Sequence, residues 1–528
     1  MSKYEKRVYR TVFLDKLKKV VIKEERDARK ERIEGHLDII CKATGWSRDK
    51  AASEMRAAKA MGINNRTYAL AACYDWTKEE LEALAFELNQ KDKREQDRTD
   101  EYIDLIIADC GCDRKAALKM LEGAKEYGIT RKQFAENGCA KMNDEELKVF
   151  ASNIVKRKEL EALAKEIDTD DLNDPRIRDL YDTALEMRKK RIKAVIDEYL
   201  PDATPEEAYE VARDMDFMSV RYEYFFKEYF LYDFMHKTME ERTSFIANGT
   251  RRNYLRKLST PRGFIICRNK YLSYSHLKDL YKREVIEVKG KKDKDKIIEY
   301  AVKHPTFVFK PVDSSFGKGI HKVELSDYAS PEALADDLIK EGDFILEELI
   351  IPDEKLKSLH PGSVNTIRVT TYHDDDGNVT IQFPFFKIGQ KGNFVDNGGQ
   401  GGILALIDAE TGVVITDGID ESFVTYKEHP DTGVVLKGFQ VPCWEDLKVF
   451  AEKAAREFPD VRYAGWDMTL SKDKGWLAVE VNCRTQFYGQ QMCDQIGKKK
   501  ELEELINWKE LKDKNTEFDD IWKKIDKF

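Results

Sequence analysis

Glycine is spread unevenly along this chain: residues 1–248 contain 7, residues 249–528 contain 22, and none lies between Gly138 and Gly249. A glycine inside a helix costs about 1 kcal/mol relative to alanine, whereas turns need its conformational freedom. The first half is therefore expected to be helical and the second rich in strands and turns. The length, 528 residues, exceeds one domain of roughly 100–200 residues and allows two to four. A charged fraction of 36% suits long solvated helices.

The charge balance excludes one class of function. Lys+Arg is 90 against Asp+Glu 99, a net charge of -9, and proteins that coat nucleic acid carry a basic excess that displaces counterions. No apolar run approaches the roughly 20 residues that span a bilayer, so no transmembrane segment is expected. The start, MSKYEKRVYR, is charged throughout and lacks the apolar core of a secretory signal. Among the nine cysteines, Cys110 and Cys112 form the only close pair, and no second pair stands at zinc-finger spacing. A reduced, cytoplasmic protein is expected.

The helical half contains a repeat. Residues 37–63 match 103–129 without a gap, and the match runs on through Tyr68 with Phe134, Cys73 with Cys139, and Glu79-Glu80-Leu81 with Glu145-Glu146-Leu147. Apolar residues recur at helical spacing, as in Ala51, Met55 and Ala58, or Leu118, Leu121 and Ala124. Gly62 and Gly128 stand where a helix would stop. The region 36–235 is read as helical repeats, with copies at about 37–86 and 103–152 and a third, worn copy at 195–225. Stacked helical units leave an exposed face, which suits a structural or docking module or a grip on a protein or carrier partner. Nothing in it looks catalytic. Residues 1–35 are read as an N-terminal amphipathic helix packing on this region, with a membrane or partner surface as the other reading. The aromatic stretch 222–245 (YEYFFKEYFLYDFMHKTMEERTSF) is expected to form a buried seam between the halves rather than a base-stacking platform.

The second half reads as α+β or α/β. FVFKPV (307–312), the segment Ile320–Leu325, FILEELI (344–350), the hairpin 366–389 and the pair AGWDMTL and WLAVEVN (464–470, 476–482) are strands, with helices expected at 330–342 and 444–458. Alternate strand residues share a face, so Glu480 and Asn482 point the same way, and the SKDKG turn brings Asp467 back towards them. Three converging oxygen ligands suit a hard cation such as Mg2+. Lys310 lies inside an apolar strand, where a lysine is rarely buried without a partner. The turn behind it, Ser314-Ser315-Phe316-Gly317-Lys318-Gly319, has the composition of a phosphate cradle, although no GxxxxGK[ST] is present. His321 and His373 read as surface or hydrogen-bonded histidines, and KGKKDKDK (289–296) as a solvated loop.

This combination resembles the ATP-grasp superfamily, and most closely its sugar-transfer-associated group. The resemblance rests on NKYLSYSHLKDLYKRE (269–284), FVFKPVDSSFGKGI (307–320), FILEELI, SVNTIRVTT (363–371), KIGQKGNFVDNGGQGGI (387–403) and GWDMTL with LAVEVN (465–482). It implies an α+β ATP-grasp domain over 236–528, in which two α+β subdomains clamp ATP, preceded by the all-α region. By the resemblance, Lys270 and Lys310 hold the phosphates and Ser314–Gly319 (Ser314, Ser315, Gly317, Lys318, Gly319) form a lid. Glu347 with the backbone of Glu348, Leu349 and Ile350 reads adenine, and Asp353 or Glu354 holds ribose. Asp467, Glu480 and Asn482 bind Mg2+, two ions being expected. Arg368 and Lys387 face the transferred phosphate, with Asn397 and the Gly398–Gly402 run closing nearby. Many amide-forming members carry an arginine two residues before the first metal acid. Here Gly465 stands there, so Arg368 or Arg484 must substitute. Arg484, Gln486, Tyr488 and Gln490 are candidates for an acceptor pocket. The implied activity is ATP-dependent joining of a small-molecule carboxylate to an amine, near glycan or polysaccharide synthesis. The alternatives are phosphoryl transfer to a hydroxyl and a non-catalytic nucleotide-binding scaffold.

Overall fold

The computed structural model describes residues 27–312, 319–396 and 398–513, together with 518, 521, 522 and 525, with backbone alone at 90–97. The readings placed on 1–26, on Ser314, Ser315, Gly317 and Lys318, and on Asn397 lie outside these residues. The chain divides into two compact units, 1–93 with 515–528, and 94–514. Among the described residues no helix is long and apolar enough to cross a membrane.

In the first unit the helices Arg48–Ala60 and Asn65–Leu70 and the 3-10 turn Cys73–Asp75 precede the start of a long helix, Lys78–Cys110, whose residues from 94 onward are assigned to the second unit. Within the second unit the same succession begins 66 residues later, as Arg114–Gly123, Arg131–Glu136, Cys139–Lys141 and Asp144–Glu166. The buried sets correspond: Ala51, Met55, Ala58, Ile63, Tyr68 and Cys73 in one, Ala117, Leu121, Ala124, Ile129, Phe134 and Cys139 in the other. Leu118, expected on the inner face, is exposed, because the offset makes Ala117 the counterpart of buried Ala51. Gly62 and Gly128 take φ of +97° and +74°, the left-handed geometry that ends a helix.

The succession occurs again 95 residues further on. A longer helix, Pro205–Tyr222, is followed by Phe226–Leu231, the turn Phe234–His236 and Met239–Thr243. Glu223 and Asp233 stand left-handed at the places of Gly128 and Gly138. Thr238 and Glu241 form a capping box, as Asn143 and Glu146 do. This succession runs from 205 to 243, whereas the worn copy was expected at 195–225. Its inward residues are aromatic where the earlier ones are small, Phe234 standing in the place of Cys139. Tyr224, Tyr229, Tyr232, Phe234 and Phe245 share one core with Phe217 and Met218 and with Phe385, Leu404, Leu406 and Ile419 from the strands below.

The remainder is two antiparallel sheets. The smaller has the order β1-β4-β2-β3, from β1 (Val285–Lys289), β2 (Thr306–Pro311), β3 (His321–Glu324) and β4 (Asp343–Glu348). The helices Lys294–Lys303 and Pro331–Leu338 cover it, burying Ile297, Tyr300 and Leu334 against Phe307, Phe309 and Phe344. The larger has the order β11-β10-β5-β6-β7-β8-β9. Its strands are β5 (Thr366–His373), β6 (Val379–Ile388), β7 (Ile403–Leu406), β8 (Gly418–Ile419), β9 (Thr425–Tyr426), β10 (Tyr463–Ser471) and β11 (Gly475–Asn482). The helix Trp444–Glu457 packs on β5 and β6, and the helix Tyr488–Asp494 packs against β6 and β7, Gly489 lying on the Phe385 ring. Strand pairing is antiparallel throughout, which makes the second half α+β.

Candidate active site

Register places the chemistry on one face of the larger sheet. Residues directly opposite in an antiparallel pair share a face. Asp467 stands opposite Arg368 on β5 and opposite Glu480 on β11, Gly465 stands opposite Asn482, and Thr366 stands opposite Lys387. Two irregularities flank these residues. The β10–β11 register shifts after Asp467, and the β5–β6 register shifts after Arg368. Bulges of this kind re-aim side chains next to functional sites.

Asp467 is buried and accepts two bonds from the Arg368 guanidinium, at 2.7 and 3.1 Å, and one from the Lys387 ammonium at 3.2 Å. Burial would raise its carboxyl pKa, but Arg368 and then Lys387 outweigh burial and hold it far below the usual range. Lys387 also stands 3.8 Å from Asp396, whose carboxylate accepts the Thr366 N–H at 2.7 Å. Arg368 further donates to the Thr485 hydroxyl at 3.2 Å. A Cβ on Gly465 would lie 2.3 Å from that hydroxyl and 3.4 Å from Arg368 Cδ. A side chain at 465 is thus displaced by Thr485, and Arg368 spans the same ground from the next strand.

Glu480 is exposed and Asn482 half-buried, and among the described residues neither is met by a hydrogen-bonding side chain. Among the described residues no three histidine, cysteine or acidic side chains converge, so the oxygen set on this face is two carboxylates and one amide. Two open oxygen donors beside a buried carboxylate fit a hard cation.

The smaller sheet presents the second cluster. Lys310 Nζ donates to Glu347 Oε2 at 2.8 Å, from the β2 face towards β4. The same oxygen accepts Arg283 Nε at 2.9 Å. Burial would raise the Glu347 carboxyl pKa, but Arg283 and Lys310 together bring it down to about 2. Arg283 also donates to two consecutive carbonyls of β11, Ala478 at 2.6 Å and Val479 at 2.9 Å, at the bulge next to Glu480. One buried guanidinium therefore ties the Lys310–Glu347 pair to the strand that carries Glu480 and Asn482.

Lys270 heads the helix Lys270–His276, which Asn269 caps, and its ammonium donates to the Pro311 carbonyl at 3.1 Å, one residue past Lys310. The two lysines thus arrive at the same strand end. Gly319 closes the segment that follows, with φ of +77°. Glu348 pairs with Lys474. Leu349 and Ile350 lead from β4 to the larger sheet, where Pro352 bridges Ser471 and the Asp353 N–H donates to the Leu470 carbonyl at 2.8 Å. Glu354 is exposed and lies 3.4 Å from Lys472, while Asp353 caps its short helix. Arg484 lies two residues past Asn482, its guanidinium 4.3 Å above the Phe264 ring. Tyr488 and Glu421 lie over Gly398, and Gln490 is fully buried.

Sequence reasoning missed Arg283 and Thr485. Arg283 stands in YKRE just before β1, where a basic residue looks like an ordinary strand-edge charge. Its partners are 64 and 195 residues away. Thr485 follows Arg484 and gave no signal beyond its position.

Residues 250–507 match the family model described as sugar-transfer associated ATP-grasp. No curated protein matches the chain. Among solved structures, the ATP-grasp ligase PsnB complexed with minimal precursor, Mg and ADP aligns at 14% identity over 45% of this chain and 56% of that one, with a TM-score of 0.28. D-alanyl-alanine synthetase A from Vibrio cholerae aligns at 15% identity over 45% of this chain and 62% of that one, with a TM-score of 0.30. The L-amino acid ligase from Bacillus licheniformis aligns at 17% identity over 45% of each chain, with a TM-score of 0.27. This chain therefore spans less than two thirds of the length of each. Residues 250–507 of this chain belong to the sugar-transfer associated ATP-grasp family.

Proposed function

We propose that this protein is an ADP-forming, ATP-dependent ligase that activates a carboxylate as an acyl phosphate and joins it to an amine. One observation supports the reading: the Lys310 ammonium and the strand bearing Glu480 are linked through Glu347 and Arg283, which holds the lysine expected to meet phosphate in fixed relation to the acids expected to meet a cation. The chemistry needs that relation. A carboxylate resists attack because its charge repels nucleophiles and its leaving group is oxide. A phosphoryl group from ATP turns it into an electrophile with a good leaving group, and the protein's task is positioning and charge stabilisation.

Lys270 and Lys310 would hold the triphosphate, with the backbone of Glu348–Ile350 against adenine and Glu354 or Asp353 near ribose. Bound by Asp467, Glu480 and Asn482, Mg2+ (two ions on this reading) would neutralise the phosphate oxygens and act as a Lewis acid. Arg368 and Lys387 are already extended by Asp467 over the face where the transferred group would arrive, so little reorganisation is needed. The family's association with sugar transfer supports a place in glycan or polysaccharide-related synthesis, with an amino acid or sugar derivative as acceptor. The helical successions of 37–243 would dock a protein or carrier partner.

The test is product analysis. The full chain with Mg2+-ATP is screened against carboxylates with amino acids and amino sugars for stimulated ADP release, and products are read by mass spectrometry. An amide formed in step with ADP and phosphate is expected. A phosphate ester with ADP would make the protein a kinase. Undiminished ATP consumption in Glu480→Gln would overturn the metal-ligand role given to Glu480, and a wild type that releases no ADP with any acceptor would overturn the enzyme reading.

A further inference from the structure

A buried polar cluster lies just past Lys387, where β6 ends. Both backbone groups of Gly389 are engaged in it. The Gly389 N–H donates to Asn365 Oδ1 at 3.3 Å, and its carbonyl accepts from His429 Nε2 at 2.8 Å. A side chain has no room there, since a Cβ would lie 2.4 Å from Ser363 Oγ and 2.7 Å from His360 Nδ1. His360, Ser363, Asn365 and His429 are all buried, and the two imidazole rings stand 5.6 Å apart.

The hydrogen bonds assign the proton positions. Asn365 Nδ2 donates to the carbonyls of Leu356 and His360, at 3.0 and 2.7 Å, so the atom facing Ser363 is the acceptor Oδ1. The Ser363 hydroxyl therefore gives its hydrogen to Asn365 at 2.9 Å and accepts from His360 Nδ1, also at 2.9 Å. His360 Nε2 is left bare, 3.8 Å from Asp431 Oδ2. That carboxylate oxygen accepts the Lys391 N–H at 2.7 Å. In His429, Nδ1 accepts the Asp431 N–H at 3.2 Å, and Nε2 carries the hydrogen that goes to Gly389. Each ring is thus neutral and in a single tautomer. A second proton on His429 would set its Nδ1–H against the Asp431 N–H. A second proton on His360 would draw away the Asp431 oxygen that holds Lys391. Either event costs the cluster one of the bonds that place Gly389 and Lys391.

The charged and titratable groups that bear on His360 are His429, Asp431 and Asp396. Burial first and then His429 lower its pKa, against the two aspartates. Asp396 closes the circuit, because it stands 3.8 Å from Lys387 and accepts the Thr366 N–H. The segment leaving Lys387 at Gly389 therefore returns to it at Asp396.

We propose that His360 and His429 are positioning residues: while both rings are neutral they hold the segment 389–396, and through it Asp396 and Lys387, and an added proton on either ring releases it. This rests on the reading that Lys387 meets the transferred group. The reacting face is then set at neutral pH and loosened by acid.

The experiment is amide hydrogen–deuterium exchange on the full chain between about pH 7.5 and pH 5, with rates corrected for their intrinsic pH dependence. In the wild type, protection of residues 389–396 is expected to fall about tenfold or more over this range, while the helix Trp444–Glu457 keeps its own. His360→Asn/His429→Gln retains an amide donor for Ser363 and for Gly389 and has no ring to protonate, so its protection should stay level. Wild-type protection that does not change with pH, or an equal fall in the double variant, overturns the proposal. Should the double variant not fold, as judged by circular dichroism, His360→Asn alone decides by the same comparison. Stimulated ADP release supplies the second readout: its kcat is expected to fall more steeply with acid in the wild type than in the variant. A kcat that stays level while the segment loosens would overturn the positioning role. A chain that releases no ADP fails the ligase reading, and exchange, which needs no substrate, then decides the histidine pair by itself.

Discussion

Arg283 bears more of the site's geometry than any lysine or acid read from the sequence. It is buried, pairs with Glu347, and donates besides to two β11 carbonyls and to the Tyr281 carbonyl. Removing one partner of a buried, hydrogen-bonded charge pair costs about 3–5 kcal/mol, because the other charge is left uncompensated. Arg283→Met is therefore expected to lower the unfolding free energy by about that amount in a urea titration, and to weaken nucleotide binding, since Glu347 would be left to Lys310 alone. Arg368 separates binding from turnover. Arg368→Met should lower kcat roughly 10²–10³-fold, the usual loss when a transition-state charge donor is removed, while the KM for ATP changes little. A fall in ATP affinity of the same size would place Arg368 in nucleotide binding instead. Lys310, Asp467 and Glu480 stood out in the sequence because each interrupts an apolar strand, as Lys310 does between Phe309 and Pro311, whereas Lys270 heads a helix and was reached only through the family resemblance. Arg283 and Thr485 were not, because their partners are a carboxylate, carbonyls and a guanidinium brought near only by the sheets.

At the scale of elements, the third helical succession shows how much pattern a sequence can hide. Its left-handed stops are Glu223 and Asp233 rather than glycine, and its inner positions are filled by large rings. The cue used for the first two copies, small residues around a glycine, is therefore missing. The strands were legible from alternation and turns, but the bulges beside Asp467 and Arg368 were not, because nothing in the residue pattern marks the extra residue. Glu228 is where this succession meets the helix Asn248–Lys257. Its carboxylate receives the N–H of Asn248, the first residue of the helix that carries Arg251. Burial, opposed by these hydrogen bonds and by Arg251, raises its pKa from 4.5 to about 7. Between those values the folded chain holds a proton that the unfolded chain has lost. Its contribution is fully present below pH 4.5 and is lost as pH rises through 7, a change on the order of 3 kcal/mol. Glu228→Gln should flatten that part of the pH dependence, read as unfolding midpoints from pH 4 to 8. An unchanged slope would mean that the carboxylate is ionised throughout.

For the molecule as a whole, a boundary near 235 looked natural from glycine content, because the turn-rich half begins there. Composition reports local conformation, however, and not which faces share a core. The rings of 217–245 and the strand residues Phe385, Leu404, Leu406 and Ile419 lie in one cluster, inside the compact unit 94–514. Each large apolar side chain moved from water into such a core contributes about 1.5–3 kcal/mol, and net stabilities are only about 5–15 kcal/mol. Exposing five or six of these rings would therefore exceed what a domain can lose. A fragment spanning 94–514 is expected to fold cooperatively and to bind AMPPNP within a few-fold of the full chain, since both nucleotide-facing clusters and the aromatic core are retained. A fragment spanning 236–514 keeps every site residue but strips Phe217, Tyr224, Tyr229 and Tyr232 from the larger sheet, and it is expected to aggregate or to show no cooperative unfolding. Calorimetry and thermal melts on the two fragments make the comparison. A stable 236–514 fragment with full nucleotide affinity would show that the helices before it are a separate module that only leans on the sheet. Failure of the longer fragment would show that residues 1–93 or 515–528 complete the fold.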